Sequence, residues 1–397
     1  MGAWGQRPQK EHILMRRLFR LRLNTPCRVR LLRAIRRTFP INYNMNTNTH
    51  LHLESYLKQL MINARDNGLN GDQILARSRE CEIEGYLYAA MTNGLIKPAD
   101  LNIDDISVQK RIEKYRVKQT ARVGLWIHSL KNVCAILQDT PFILLKGIGL
   151  SERWFGEYIW RNSNDIDLLV PENQWRPIAS RLIQCGYYCE IEPHEWATNQ
   201  IQLKHKVLAS VEIHWKLAPP PWKTPSFEYL YKRRQMITIR DVPIPVLSDG
   251  DLWINLLIHA QQHFYAPKTM LDLCECIDHV KPDLCLLDAY GLNKLYAFVN
   301  DILSLDPRET SHPAGGCMAL IALIRKVLYK AFSNQRYGQL CFGDDSRADA
   351  LAGIFIKLFN MRLLDGTAYQ LKSMWMVVFY GPHRFGAWVN RLSHGRS

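Results

Sequence analysis

The amino-acid sequence predicts an α+β fold: a small mixed sheet flanked by helical regions on its N-terminal and C-terminal sides. Two stretches with apolar residues at a 3.6-residue period enclose a central stretch of short apolar runs. Prolines and glycines separate those runs, which is typical of strands and turns. We therefore divide the chain into a basic arm (1–45), a helical region (46–140), an α/β core (141–247) and a second helical region (248–397).

The basic arm carries most of the net charge. It holds 11 Lys and Arg residues and one acid, Glu11, so it contributes +10 of the formal net charge of +14. Three interpretations fit: a disordered basic arm that touches nucleic acid or membrane, an organelle transit peptide, or an upstream extension of a reading frame that starts at Met45. The last two are the simpler ones. The remaining chain is nearly neutral, which argues against a nucleic-acid-binding module outside the arm.

Composition also limits the cellular setting. The longest apolar run is the eight residues Cys317–Ile324, whereas a membrane-spanning helix needs about 20. Arginines interrupt every apolar stretch of the first 45 residues, so no secretory signal is predicted. The ten cysteines are scattered without a C-x-x-C pair. We expect reduced thiols, a cytoplasmic location and no membrane partner.

The elements follow from local patterns. Leu53, Leu57 and Leu60 mark one face of a helix in the first helical region. Strands are expected in the core where apolar runs stop at proline or glycine. The predicted core elements are strands at Phe142–Leu145, Ile166–Val170 and Val211–Leu217, a helix at Trp175–Cys185, and a hairpin of Met236–Ile239 with Ile244–Leu247 around a turn at Asp241-Val242-Pro243. The predicted C-terminal helices are Asp251–Phe264, Thr269–Val280, Pro313–Phe332 and Ala348–Leu364.

Acidic residues in two of these strands point to a metal site. Asp165 and Asp167 are two apart in a strand, so both project to one face, and their charges repel. Glu212, in another strand, could add a third carboxylate. Oxygen-ligated Mg²⁺ or Mn²⁺ is the usual neutraliser of such a group. The alternative is a solvated strand edge, since other acidic pairs at this spacing occur, as at Glu80 and Glu82.

The turn before these strands suits phosphate binding. Gly147 follows an apolar run at an expected strand-to-helix turn, where backbone N–H groups could approach phosphates beside Lys146. Three carboxylates holding two metal ions would stabilise in-line attack on the α-phosphorus of an NTP. The combination fits nucleotidyl transfer.

Three segments resemble an uncharacterised nucleotidyltransferase family in the DNA-polymerase-β-like superfamily. They are Leu145-Lys146-Gly147, Arg161 with Asp165-Ile166-Asp167, and Val211-Glu212-Ile213-His214-Trp215. A later run is similar too, with His259, His263, Lys268, Leu271 and Asp272. The resemblance implies metal ligation by Asp165, Asp167 and Glu212, and triphosphate binding by Lys146, Gly147 and Arg161. Two departures are Ile148 where the superfamily has serine, for which Lys146 or Ser151 could substitute, and the long gap of 18 residues from Gly147 to Asp165.

Several of these residues have a second interpretation. Arg161 could bind a phosphate or pair with a carboxylate. His214 could lie near the metals or be a buried histidine bonded to backbone. His259 and His263 lack a third zinc ligand and are expected to pack the helical region against the sheet.

These observations predict a Mg²⁺-dependent enzyme that moves an NMP from an NTP to an unknown acceptor and releases pyrophosphate. If Glu212 lies close enough, it could also accept the acceptor's proton. The first alternative is a non-catalytic protein of the same fold that binds nucleotide or a protein partner. A second is a nucleic-acid-binding module that acts through residues 1–45 alone.

Overall fold

The structure is a computed structural model that describes residues 50–137, 140–190, 198–219, 222–263 and 266–303. The basic arm and the predicted helices Pro313–Phe332 and Ala348–Leu364 lie outside the described residues. The helices in chain order are α1 (Leu51–Asp66), α2 (Gly71–Glu80), α3 (Glu84–Thr92), α4 (Asp105–Leu137), α5 (Ile148–Phe155), α6 (Trp175–Gln184), α7 (Phe227–Arg233), α8 (Asp249–His263), α9 (Pro267–His279), α10 (Leu284–Ala289) and α11 (Asn293–Leu303). The strands are β1 (Ile143–Leu144), β2 (Asp165–Leu169), β3 (Tyr188–Cys189), β4 (Gln200–Lys204), β5 (Ser210–His214), β6 (Gln235–Ile239) and β7 (Val242–Val246).

The seven strands form one mixed sheet in the order β3-β4-β5-β2-β1-β7-β6. β2 pairs in parallel with β5 and antiparallel with β1, while β1 pairs in parallel with β7. The predicted α+β class, a mixed sheet between helical regions, is confirmed. The predicted strands form the centre of the sheet, where β2 lies between β5 and β1.

Helices of the first region hold the sheet in place. α2 begins with a capping box, in which Asn70 and Gln73 satisfy each other's backbone N–H groups. α4 is 33 residues long, and its buried stripe follows the predicted helical period. From that stripe the Trp126 indole Nε1 donates a hydrogen bond to the backbone oxygen of Asp165, at 2.7 Å. α4 thereby fixes the start of β2, the strand that carries the predicted acidic pair.

The hairpin of β6 and β7 differs from the prediction in its turn. The turn residues are Arg240 and Asp241, both at positive φ (47° and 68°), rather than the predicted Asp241-Val242-Pro243. Two positive φ angles are the geometry of a two-residue type I′ turn, whose twist matches that of the paired strands. Pro243 therefore lies inside β7.

The C-terminal helices pack on the first helical region. α9 lies along α1, and α8 packs against α9. α9 starts at Pro267, which suits the first helical position because that N–H needs no partner there. Among the described residues, every helix is too short or too polar to cross a lipid bilayer.

Candidate active site

The two central strands bring the predicted acidic residues together. β2 and β5 run side by side, and their register pairs Asp167 with Glu212 and Leu169 with His214. Because side chains alternate along a strand, Asp165 and Asp167 project to the same face as Glu212 and His214. The intervening side chains fill the opposite face and are fully buried: Ile166, Leu168, Val211 and Ile213.

Asp167, Glu212 and His214 form a compact group, in which one ligand atom from each lies within 4.8 Å of the others. The His214 Nε2 atom is 3.5 Å from Asp167 Oδ1 and 3.6 Å from Glu212 Oε2. Of the two roles considered for His214, the structure therefore places it beside the carboxylates. Alternation along β5 is the reason for the first of these roles, since Glu212 and His214 are two apart and share a strand face.

The group is buried and its polar atoms are poorly satisfied. Among the described residues, neither oxygen of Asp167 and neither nitrogen of His214 has a hydrogen-bond partner. Burial raises the pKa of Asp167, but Lys146 and His214 outweigh it, so that pKa lies below its ordinary value. Burial lowers the pKa of His214, yet Asp167 and Glu212 hold that pKa above its ordinary value. Asp167 is therefore an ionised, buried carboxylate that contacts Lys146 and His214 without a well-formed hydrogen bond, and its oxygens suit a metal ion.

Glu212 is held from the neighbouring strand. Gln202 on β4 donates from Nε2 to Glu212 Oε1 at 3.1 Å, and Gln200 lies 3.5 Å from Oε2. β4 was not among the predicted strands, so this support was missed. Its alternation of Ile201 and Leu203 with glutamines is the signal that could have found it.

Asp165 stands apart from the compact group. In the part of the chain that the structure describes, its carboxylate is not among the atoms that share the 4.8 Å group. It is partly exposed, and the Ser163 hydroxyl lies 3.5 Å from its Oδ1. Burial, and then repulsion from Asp167, raise the pKa of Asp165 to about 6. The two aspartates thus share a strand face but have different electrostatic surroundings.

Lys146 provides positive charge at this face. Its Nζ atom is 3.2 Å from Asp167 Oδ1, an ion pair whose lysine side chain remains partly exposed. Burial lowers the pKa of Lys146, but Asp167, Asp165 and Glu212 together raise it above its ordinary value. The Lys146 ammonium therefore stays charged and lies next to Asp167, the carboxylate whose pKa is lowered.

Gly147 occupies a backbone conformation that requires glycine. Its φ of 95° and ψ of −148° lie in a region that residues with a Cβ rarely enter. A Cβ would also lie 3.3 Å from Ser163 Oγ and from a ring carbon of Trp126. Gly147 is the N-cap of α5 and offers no side chain to cap the helix. The first N–H groups of α5 thus begin directly beside Lys146.

Ser151 does not replace the serine that the superfamily has after the glycine. Its hydroxyl is buried, donates to the Glu157 backbone oxygen at 2.6 Å and accepts from the backbone N–H groups of Trp160 and Arg161. These contacts close the loop after α5. Ile148 is buried in the core. Of the two substitutes that we considered, only Lys146 faces the site.

Arg161 forms a buried ion pair. Its Nε and Nη2 atoms donate to the two oxygens of Asp272 at 2.7 and 2.8 Å, and Nη1 lies 3.4 Å from the Gly147 backbone oxygen. The Tyr86 hydroxyl also donates to Asp272. Of the two roles considered for Arg161, the structure has the pair with a carboxylate. Because Arg161 also contacts the Gly147 backbone oxygen, it supports the turn at that glycine.

The later run of the predicted motif lies on α8 and α9. Lys268 pairs with Glu82, with Nζ 2.6 Å from Oε2. Its positive charge also opposes part of the rise in the pKa of Asp165. Asp272, named only as part of the motif, is the partner of Arg161. His259 lies on the same helix as His263, whose side chain is outside the described set.

Comparison with known proteins identifies the family of the chain. A family described as uncharacterised nucleotidyltransferases matches residues 67–288, which is more than half of the 397 residues. A mixed sheet that presents acidic residues beside a strand–glycine–helix turn is the arrangement expected of a nucleotidyltransferase fold. The chain belongs to this nucleotidyltransferase family. None of the curated proteins matches the chain.

Two solved structures are similar over part of the chain. The lincosamide antibiotic adenylyltransferase LnuA, bound to lincomycin, has 19% identity and a TM-score of 0.27, covering 36% of this chain and 94% of its own. The antibiotic-resistance factor ANT(2'')-Ia has 16% identity and the same TM-score of 0.27, covering 56% and 96%. Both TM-scores are too low for either likeness to bear on the acceptor or the activity of this chain.

Proposed function

We propose that this protein catalyses metal-dependent transfer of an NMP from an NTP to an acceptor hydroxyl, with release of pyrophosphate. The observation that carries the proposal is Asp167: an ionised, buried carboxylate without a hydrogen-bond partner among the described residues, paired in register with Glu212 and next to Lys146. Lys146 offsets the cost of burying that charge, and the remaining lone pairs of the carboxylate would suit a divalent ion.

The donor set suits Mg²⁺ or Mn²⁺. Carboxylate oxygens are the ligands that both ions prefer, and the unused lone pairs of Asp167 lie next to Glu212. Asp165 is on the same face and would be the third ligand. His214 lies between the carboxylates, where its charge would orient and partly neutralise them before a metal binds. When bound, the divalent ions would lower the pKa of the acceptor hydroxyl and neutralise charge on the triphosphate and the leaving pyrophosphate.

The turn at Gly147 would bind the phosphates of the NTP. The N–H groups at the start of α5 and the Lys146 ammonium are positive and lie next to the carboxylate group. Arg161 acts indirectly, because its guanidinium already forms hydrogen bonds to Asp272 and to the Gly147 oxygen. It would position the turn that contacts phosphate rather than bind phosphate itself.

The chemistry that follows is in-line substitution at the α-phosphorus. The acceptor oxygen forms a bond to that phosphorus, and the bond to the bridging oxygen of pyrophosphate breaks. Glu212 would accept the acceptor's proton, and Lys146 would offset charge on the departing phosphates. No redox partner is needed.

The test is transfer of label from α-³²P-labelled NTPs. The full chain is incubated with each NTP and Mg²⁺ or Mn²⁺ in the presence of protein, RNA and small-molecule extracts. We expect labelled product from the wild type and none from Asp167→Asn. Glu172→Gln is the matched control, since it neutralises an exposed carboxylate just after β2 that pairs only with Lys216 at the surface.

Two outcomes separate the proposal from its alternative. Label transfer that survives equally in Asp167→Asn would contradict the assigned site. Saturable NTP binding without transfer to any acceptor extract would favour the non-catalytic nucleotide-binding protein. Ile148 in place of the superfamily's serine is the feature that keeps this alternative worth testing.

A further inference from the structure

A second group of metal-ligating side chains lies away from the carboxylate site, where α1 meets α9. His50 is the residue just before α1, and Glu275 and His279 are four apart on α9. Residues four apart lie on the same face of a helix, so one turn of α9 presents both side chains to His50. The three residues therefore join two elements that are 225 residues apart in sequence.

The spacing of their donor atoms matches a tetrahedral metal site. Glu275 Oε2 is 3.1 Å from His50 Nδ1 and 3.0 Å from His279 Nε2, and the two nitrogens are 3.4 Å apart. In a tetrahedral zinc site with metal–ligand distances of about 2.0–2.1 Å, neighbouring ligand atoms are about 3.3–3.4 Å apart. Three donor atoms therefore already lie at about the separations of three vertices around one ion.

The group is rigid and mostly shielded from water. His50 and Glu275 are 1% and 0% exposed, while the His279 side chain is 21% exposed. The His50 ring stacks on Phe155 of α5 at a centroid distance of 5.5 Å. His52, two residues after His50, is also held in place, because its backbone N–H and its ring both form hydrogen bonds to Asp278. A preformed ligand set of this kind loses little conformational entropy when a metal binds.

We propose that His50, Glu275 and His279 bind a transition-metal ion, Zn²⁺ by preference, that joins α1 to α9. Two imidazole nitrogens and one carboxylate oxygen suit Zn²⁺ and disfavour Mg²⁺ and Ca²⁺, which take oxygen ligands. A water molecule would complete the coordination of the ion. The ion would anchor α9, the helix whose Asp272 holds Arg161 against the glycine turn.

The competing account is a metal-free hydrogen-bonded group. In that case each imidazole carries a proton on the nitrogen that faces Glu275, and both donate to its carboxylate. The two accounts differ in the protonation of the facing nitrogens, because a metal ligand must present a lone pair. Metal binding measured on matched variants therefore separates them.

The experiment uses the full chain, freed of metal by chelator and then titrated with Zn²⁺ and with Co²⁺. The variants that remove a ligand are His279→Asn, at the partly exposed position, and Glu275→Gln, which keeps the shape but loses the charge. The matched control is His52→Gln, a histidine at the same helix junction with similar exposure, 24% against 21%. The same chains are also prepared with Asp167→Asn, so that zinc bound at the carboxylate site is counted separately.

In both series we expect the chain with all three ligands, and the chain with His52→Gln, to bind one more equivalent of Zn²⁺ than either ligand variant. Zn²⁺ should also raise the Tm of the wild type and of His52→Gln but not that of His279→Asn. Equal stoichiometry and equal Tm shifts in all variants would overturn the proposal and leave the metal-free group.

Should both ligand variants fail to fold, the zinc-loaded wild type decides the question by X-ray absorption at the zinc edge. Two imidazoles with oxygen ligands support the site, whereas no zinc uptake, or a sulfur-ligated ion alone, overturns it.

Discussion

At the scale of single residues, Asp165 and Asp167 show how two like side chains on one strand face acquire different properties. Asp167 is fully buried beside Lys146 and His214, which stabilise its charge. Asp165 is nearer to solvent, and burial together with repulsion from Asp167 disfavours its charge. Their spacing in sequence predicts a shared face, but it contains no information on which of the two is paired.

This asymmetry predicts opposite effects of two isosteric substitutions on stability without metal. Asp167→Asn should lower the free energy of unfolding by about 1–3 kcal/mol, because Lys146 loses its buried partner. Asp165→Asn should leave that free energy equal or higher, since a repelled charge is removed. Chemical denaturation of both variants and the wild type in chelator-treated buffer measures the difference.

Mg²⁺ and NTP then provide the functional comparison. They should raise the Tm of the wild type and not that of Asp167→Asn, because only a protein that binds the ligand is stabilised by it. Equal shifts in both proteins would show that Asp167 is not a metal ligand. The same samples give the transfer rate, which we expect to fall by about 10²–10³-fold or more in Asp167→Asn.

The conformation of Gly147 leads to a second prediction. Gly147→Ala should destabilise the protein by about 1–3 kcal/mol and weaken NTP binding, because the new Cβ is disfavoured at a φ of 95° and meets two side chains at 3.3 Å. Equilibrium denaturation and NTP titration measure the two effects.

The control is Gly124→Ala, at a helical glycine of α4 where an added Cβ meets nothing within 4 Å. That change should be neutral or stabilise by about 0.5–1 kcal/mol. If Gly147→Ala behaved like Gly124→Ala in both measurements, the turn would not depend on glycine.

At the scale of secondary-structure elements, α9 links the helical regions to the site. Through Asp272 it holds Arg161, which in turn contacts the Gly147 oxygen. Through Glu275 and His279 it contacts His50 at the start of α1. α9 contributes no ligand to the carboxylate site, yet it supports the turn on which phosphate binding depends.

We therefore expect Asp272→Asn to be among the most damaging single changes outside the site. It leaves the buried Arg161 guanidinium without a counter-charge, which costs about 3–5 kcal/mol. NTP affinity should fall as well, because the Gly147 turn loses its support. Asp288→Asn, at an exposed aspartate on α10, is the control and should have little effect.

The loss in Asp272→Asn should also depend on pH. Burial raises the pKa of Asp272, but Arg161 outweighs it and keeps that pKa below its ordinary value of 3.8. A depressed folded-state pKa means that the stabilisation is complete above about pH 4 and disappears as the pH falls through the lower folded value. Denaturation at neutral and at acidic pH should therefore show the gap between wild type and variant closing with acid. If the difference in free energy of unfolding between wild type and Asp272→Asn stayed constant with pH, the charge of Asp272 would not be what stabilises the protein.

How far the elements could be predicted depends on how local their signals are. β2 and β5 were foreseen because each is an apolar run with its own boundary, and their parallel pairing brings Asp167 to Glu212. β4 was missed because its apolar residues alternate with polar ones and form no continuous apolar run. The pair of Arg161 with Asp272 and the group around His50 join residues 111 and 225 apart, and no local pattern encodes such contacts.

At the scale of the whole molecule, three boundaries near the N-terminus differ. The charge pattern separates residues 1–45, the compact unit that contains the described residues begins at Met45, and the family match begins at residue 67. α1 lies between the last two boundaries. Its Leu53, Leu57 and Leu60 are buried, and α1 packs along α9.

Two truncations distinguish these boundaries. A chain that starts at Met45 should keep the Tm and the NTP affinity of the full chain, because the excess charge of residues 1–44 accompanies no apolar face and the residues from His50 onward remain. A chain that starts at Asn67, where the family match begins, should lose both. Removing α1 exposes the apolar face of α9, and burial of each leucine contributes about 1.5–3 kcal/mol. It also removes His50, the partner of Glu275.

Thermal melts and NTP titration of the three chains measure the outcome. A large loss in the chain that starts at Met45 would show that the basic arm is part of the folded unit, and an unchanged Tm in the shorter chain would show that α1 is not.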